Sequence, residues 1–123
     1  MILVDTSVWI DHLRAGDATL AALLDSGQVL VHPFVISELA LGNLRQRDLV
    51  LGSLRDLPQA SVATEGELLH FVERNALFGL GIVHVDAHLL AATRLTDEAT
   101  LWTRDKRLLR AADRLHLTAD GLS

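Results

Sequence analysis

The chain has 123 residues, half of them apolar and 22% charged, with a formal net charge of −5 and no cysteine. This length fits one domain, residues 1–123, which buries roughly two thirds of the surface its unfolded chain exposes. Without thiols there are no disulfides or thiolate-bound metals. No apolar run reaches the ~18 residues of a membrane span, and the opening MILVD does not read as a secretory leader, so the expected location is the cytoplasm.

Ile2–Val4 is an all-aliphatic run read as a buried parallel strand. A helix follows through Arg14, and a second, ATLAALLD, is capped by Asp17 and stopped by Gly27. Residues 29–31 form the next strand, and Pro33 stands in the first turn of a helix running to Leu44. Arg47 to Leu57 reads as a further helix, ended by Pro58, and residues 61–63 as a weak third strand. Thr64, with Glu67 three residues on, is a capping box for a helix to Phe78 that Gly79 and Gly81 break. Asp86 opens a helix over HLLAATRL, residues 100–103 are a strand, Lys106–Arg114 is a short last helix, and residues 115–117 are an edge strand. Short aliphatic strands alternating with helices predict an α/β fold, with a mainly parallel sheet of four to five strands covered on both faces.

Function in such sheets collects at the carboxyl ends of the strands. Asp5 ends the first strand, and Asp105 stands just past the strand at 100–103. Asp5, Asp86 and Asp105 each also precede a helical segment, so each fits a plain N-cap. Glu38 differs, because Phe34, Val35, Leu39 and Leu41 span an arc of about 160° on its helix and Glu38 falls inside it. A carboxylate in an apolar face is costly unless paired, and no Lys or Arg lies one turn away. The economical resolution points Glu38 toward the sheet's carboxyl edge, where it joins Asp5 and Asp105 around one or two divalent cations. Oxygen-only ligands suit Mg²⁺ or Mn²⁺, which accept phosphate oxygens and activate water for in-line attack on a phosphodiester. Thr6, Ser7 and Thr103 beside these acids position water or phosphate, or serve as ordinary cap hydroxyls.

MILVDTSVWI, VISELALG, GIVHVDAHLLAAT and LWTRDKRL, in this order over nearly the whole chain, resemble the motifs of the PIN-domain ribonucleases. They are most similar to the VapC-type toxins of bacterial type II toxin–antitoxin pairs. The resemblance implies a three-layer α/β/α sandwich in which Asp5, Glu38, Asp86 and Asp105 are the catalytic, metal-binding acids. It alone separates Asp86 from a helix cap. It also implies Mg²⁺- or Mn²⁺-dependent endoribonuclease activity on RNA, a homodimer, and inhibition by a cognate VapB-type antitoxin. An antitoxin segment would cross the groove beside the acids and meet apolar surface near Trp9 and Leu13. Some relatives carry another acid close after the last aspartate, where this chain has Lys106 and Arg107.

The negative charge argues against broad phosphate neutralisation, yet TRDKRLLRAADRL holds five of the eleven Lys and Arg residues. Arg104, Lys106, Arg107 and Arg110 are candidates for guiding an RNA backbone, with a solvated helix face or a dimer contact as the plainer reading. Other chemistries fit less well. His84 and His88 have the i, i+4 spacing of helical zinc pairs, but a helix that begins near Asp86 leaves His84 off the shared face. A phosphoacceptor receiver would need Asp56 after a buried strand, and LVLGSLR reads as helix. A haloacid-dehalogenase-like phosphatase would need an aspartate at position 7, where this chain has serine. An inactive interaction module would keep four mutually repelling acids without a use.

Overall fold

The computed structural model describes all 123 residues. Along the chain run β1 (Ile2–Val4), α1 (Thr6–Ala15), α2 (Ala18–Asp25), β2 (Val29–Leu30), α3 (Pro33–Ala40) and α4 (Arg47–Asp56). They are followed by α5 (Glu65–Arg74), α6 (His84–Leu95), β3 (Thr100–Trp102) and α7 (Lys106–Arg114). The sheet is parallel, in the order β2-β1-β3, with Leu3 opposite both Leu30 and Leu101. Leu3 and Val4 are both fully buried. Successive strand residues point to opposite faces, so helices cover the sheet on both sides, as the aliphatic run predicts.

Single parallel bridges, Val31 to Gln59 and Leu101 to Thr118, widen the sheet at its two edges. The strand expected at residues 61–63 does not form. Its pairing falls earlier, where the Val31 N–H donates to the Pro58 carbonyl and the Ala60 N–H to the Val31 carbonyl. Proline lacks a donor but keeps this acceptor, so it can stand immediately before the bridge. The edge strand expected at 115–117 likewise contracts to the contact at Thr118.

Three helix boundaries depart from the sequence reading. Helix α3 stops at Ala40, short of Leu44, because the Arg47 guanidinium takes the Ala40 carbonyl at 2.6 Å and the Gly42 carbonyl at 3.3 Å. Helix α5 starts on the expected capping box, with both of its hydrogen bonds made, but ends at Arg74. Beyond it Ala76 takes a positive φ, and Arg114 donates to the carbonyls of Asn75 and Ala76. Helix α6 begins at His84, two residues before Asp86, and Asp86 is the third residue of the helix.

Residues 87–93 of α6 are all buried, which makes it the most enclosed helix, and it packs against β3 and α5. No helix is long and apolar enough to cross a membrane. From β1 the chain passes to β2 on one side and later returns to β3 on the other, so the carboxyl ends of β1 and β3 flank a topological switch point. Ligand crevices form at such points in open α/β sheets.

Candidate active site

Asp5 leaves β1 at this crevice and caps α1. Its Oδ2 accepts the Ser7 hydroxyl at 2.7 Å, the Thr103 hydroxyl at 2.7 Å and, more weakly, the Ser7 N–H at 3.4 Å. Its Oδ1 has no protein donor. Thr103 Oγ1 in turn accepts the Asp105 N–H at 3.0 Å, and Ser7 Oγ accepts the Arg104 N–H at 3.0 Å. Two hydroxyls thus tie the ends of β1 and β3 together beneath a single carboxylate.

The other three acids repeat the pattern. Asp105 caps α7, with Oδ1 accepting the N–H groups of Arg107 at 2.9 Å and Leu108 at 3.2 Å. Asp86 uses Oδ2 to accept the Val83 N–H at 3.2 Å, and Glu38 uses Oε1 to accept the Thr6 hydroxyl at 2.6 Å. Each carboxylate is held through one oxygen while the other is left without a protein partner. The cap reading and the ligand reading are therefore compatible, since they use different oxygens of the same group.

The four are also electrostatic neighbours. Burial raises the Asp86 pKa first of all, the Val83 N–H opposes that, and the charges of Asp5, Asp105 and Glu38 raise it further. None of the four carboxylates forms an ion pair with a Lys, Arg or His. Hard oxygen donors whose repulsion no side-chain cation relieves are a donor set that fits Mg²⁺ or Mn²⁺.

Glu38 reaches this group for a reason other than the one its sequence suggests. Its side chain is exposed, and Leu41, one end of the supposed apolar arc, lies beyond the helix and is 89% exposed. The bond to Thr6, next to Asp5, is what draws Glu38 in.

Arg104 is not free to guide a substrate. Its guanidinium donates to Asp11 at 2.8 Å, to Asp17 at 2.6 Å and to the Ser123 carbonyl at 3.0 Å, and it lies 5.3 Å from the Trp102 ring centre. It clamps α1, the cap of α2 and the chain end onto β3. Asp17, held below the usual carboxylate range chiefly by the Arg104 hydrogen bond, gains its stabilising charge only above that lowered pKa. Arg104→Ala is expected to cost about 1–2 kcal/mol at pH 7. The cost should shrink below about pH 4, where Asp17 protonates in the unfolded chain first and in the folded protein only below its lowered pKa. Denaturant unfolding at pH 7 and pH 3 checks this, and an equal cost at both would refute the ion-pair account.

Of the remaining basic candidates, Lys106, Arg107 and Arg110 are exposed at the start of α7. Arg107 lies against Gly81, donating to its carbonyl at 3.4 Å. An added Cβ at Gly81 would sit 3.2 Å from that guanidinium, on a backbone at φ +77°, so the glycine is fitted to the arginine. Trp9 is 3% exposed and belongs to the core, whereas Leu13 faces outward. Leu13 lines a groove of about 690 Å³ with Ile10, Arg14, Leu44 and Val50, and Glu38 also borders it.

The sequence reading missed Asp11 and Asp17 as partners of Arg104, and no local signal marks pairs so far apart in the chain. It also set His84 apart from His88, although the early start of α6 puts both on one face of the helix.

A PIN domain family model matches residues 2–114. The chain is 55% identical over 111 residues to Ribonuclease VapC32 of Mycobacterium tuberculosis, in both strain CDC 1551 / Oshkosh and strain ATCC 25618 / H37Rv, covering 90% of each chain. The fold is similar to that of FitAcB from Neisseria gonorrhoeae, with a TM-score of 0.63, 23% identity, and 92% of this chain and 94% of that one covered. It is also similar to FitAB bound to an IR36 DNA fragment, with a TM-score of 0.62, 21% identity, and 92% and 91% covered.

Proposed function

The chain belongs to the PIN-domain family and is of VapC type, and we propose that it is the toxin of a type II toxin–antitoxin pair. In this reading it is an endoribonuclease that hydrolyses RNA phosphodiesters with the help of Mg²⁺ or Mn²⁺, and a cognate VapB-type antitoxin silences it. The observation that carries the reading is the shared habit of Asp5, Glu38, Asp86 and Asp105, each anchored by one oxygen with the other unengaged.

When held by those four free oxygens, the cation supplies charge neutralisation, polarisation of a phosphate oxygen and activation of water. The chain's own part is pre-organisation. Ser7 and Thr103 fix Asp5, Thr6 fixes Glu38, and the Val83 N–H fixes Asp86, so that no side chain has to find its rotamer when substrate arrives. Lys106, Arg107 and Arg110 belong to α7, the helix that Asp105 caps, and in this reading they meet the RNA backbone. Arg104 is withdrawn from that role by its clamp.

Cleavage is expected to stop on chelation by EDTA, to return with Mn²⁺, and to leave 5′-phosphate and 3′-hydroxyl ends, read by end-labelling of the fragments. Ends bearing a 2′,3′-cyclic phosphate would sink the mechanism, since they require attack by the ribose hydroxyl instead of water.

The antitoxin segment is assigned to the groove beside Glu38, where Ile10 and Leu13 are 43% and 38% exposed and can receive apolar side chains. A basic antitoxin residue at its Glu38 end would compete with the cation for the carboxylates. A homodimer is assigned to the C-terminal half, which leaves Phe78, Leu80 and Val83 exposed. A toxin that meets RNA and a co-expressed antitoxin acts in the cytoplasm.

A further inference from the structure

We propose that Glu65, His84 and His88 form a binding site for a transition-metal dication of the Zn²⁺ kind, separate from the four carboxylates. This does not rest on the nuclease reading. One ligand atom from each of the three lies within 4.8 Å of the others, with His84 Nε2 3.9 Å from Glu65 Oε1. The geometry follows from the helix starts. Glu65 is the first residue of α5, and His84 and His88 are the first and fifth of α6, which packs against α5. One turn of helix brings the two imidazoles to 4.6 Å between ring centres.

Two features distinguish this group from an ordinary surface His–Glu contact. His88 is 3% exposed, and its Nδ1 is buried without any hydrogen-bond partner, an uncompensated cost for a polar atom in the interior. The Phe34 ring packs edge-on against His88 at 4.7 Å and stacks on His84 at 6.3 Å, so an apolar wall closes one side of the pair.

Two nitrogens and one carboxylate are the donor set of open zinc sites, with a fourth position left to water, whereas Mg²⁺ prefers oxygen alone. With bonds of about 2.0–2.1 Å, ligand atoms of a tetrahedral site lie about 3.3 Å apart. Closure therefore asks the ligand atoms to approach one another by about 0.6 Å for the 3.9 Å pair and by up to about 1.5 Å across the group. The Glu65 and His84 side chains are 72% and 61% exposed and have the freedom to make it. A cation here would staple the first turn of α5 to the first turn of α6, the turn that also carries Asp86.

The test is titration of the full-length protein with Co²⁺ alone, then with Zn²⁺ as competitor, followed by thermal melts with and without Zn²⁺. The expected result is a visible absorption band of tetrahedral cobalt with histidine ligands, displaced by Zn²⁺, and a Tm that rises with Zn²⁺. His84→Ala and Glu65→Gln, both at exposed positions, should weaken Co²⁺ binding at least about tenfold and abolish the Zn²⁺-dependent rise. Asp5→Asn should leave both signals intact. No band in the unmodified protein, undiminished binding in His84→Ala, or loss of the band in Asp5→Asn would each overturn the proposal, the last by sending the ion to the carboxylates.

Discussion

Asp5→Asn is expected to lower RNA cleavage by more than about 100-fold, the upper end of what loss of a residue that merely supports a metal ligand costs, while leaving the fold intact. The asparagine oxygen can take over the place of Oδ2 and accept the Ser7 and Thr103 hydroxyls. The amide nitrogen then occupies the place of Oδ1, which no protein donor faces. What disappears is a free anionic oxygen and one of the four charges that repel one another. Melting without divalent cation should therefore be unchanged or slightly higher in the variant, and the rise in Tm that Mn²⁺ gives the unmodified protein should shrink. Activity and cation-free stability are thus expected to move independently. A variant that cleaves RNA at the original rate would remove Asp5 from the site, and one that is inactive only because it no longer melts cooperatively would reduce Asp5 to a structural cap.

The second large effect is acid sensitivity set by His32. This side chain is fully buried at the N-cap of α3, where its Nδ1 accepts the Phe34 N–H at 3.0 Å. Burial, assisted by the neighbouring His88, lowers its pKa to about 4. Protonation would place a hydrogen on the very nitrogen that accepts the cap bond, as well as a charge in the core. Below pH 6.5 the unfolded chain takes up a proton that the folded chain refuses until about pH 4, so stability is complete above 6.5 and falls as the pH descends through that window. At 1.36 kcal/mol per pKa unit the loss approaches about 3 kcal/mol, a large share of a small domain's stability. His32→Asn keeps an acceptor for the Phe34 N–H and cannot titrate. Unfolding free energies measured from pH 7 to pH 4.5 should fall less steeply in this variant than in the unmodified protein, whatever its absolute stability. Equal slopes would show that other groups control the acid response.

The elements that local pattern determines are legible in the chain. Three aliphatic residues followed by Asp5 specify a doubly buried strand with a carboxylate at its end, and Thr64 with Glu67 fixes the start of α5. Contacts between distant residues are another matter. Nothing near residues 59–63 says that Gln59, and not Ser61 or Val62, will meet Val31, because that register is set by the opposing strand. Arg104 stands in a basic run and reads as a phosphate contact, yet carboxylates some 90 residues earlier occupy its guanidinium. Asp86 shows how a small local error spreads. An acid at the third helical position accepts the N–H of the cap residue itself, the reciprocal of an N-cap bond, and taking it for the cap shifts α6 by three residues and separates His84 from His88. Glu38 is the converse case, since its apolar arc is broken by the early end of α3 and a threonine on another helix, invisible to periodicity, brings it to the crevice.

The place of β1 at the middle of the sheet also governs when the protein can act. Its three residues precede both of their neighbours in the chain, and one of the two, β3, follows about 100 residues later. Thr103 and Asp105, which complete the surroundings of Asp5, follow β3 immediately. At synthesis rates of ~5–20 residues per second, Asp5 waits roughly 5–20 s for them. Throughout that interval the emerging polypeptide lacks two of the groups that surround Asp5, so the crevice is completed only when the last strand and the start of α7 have been made.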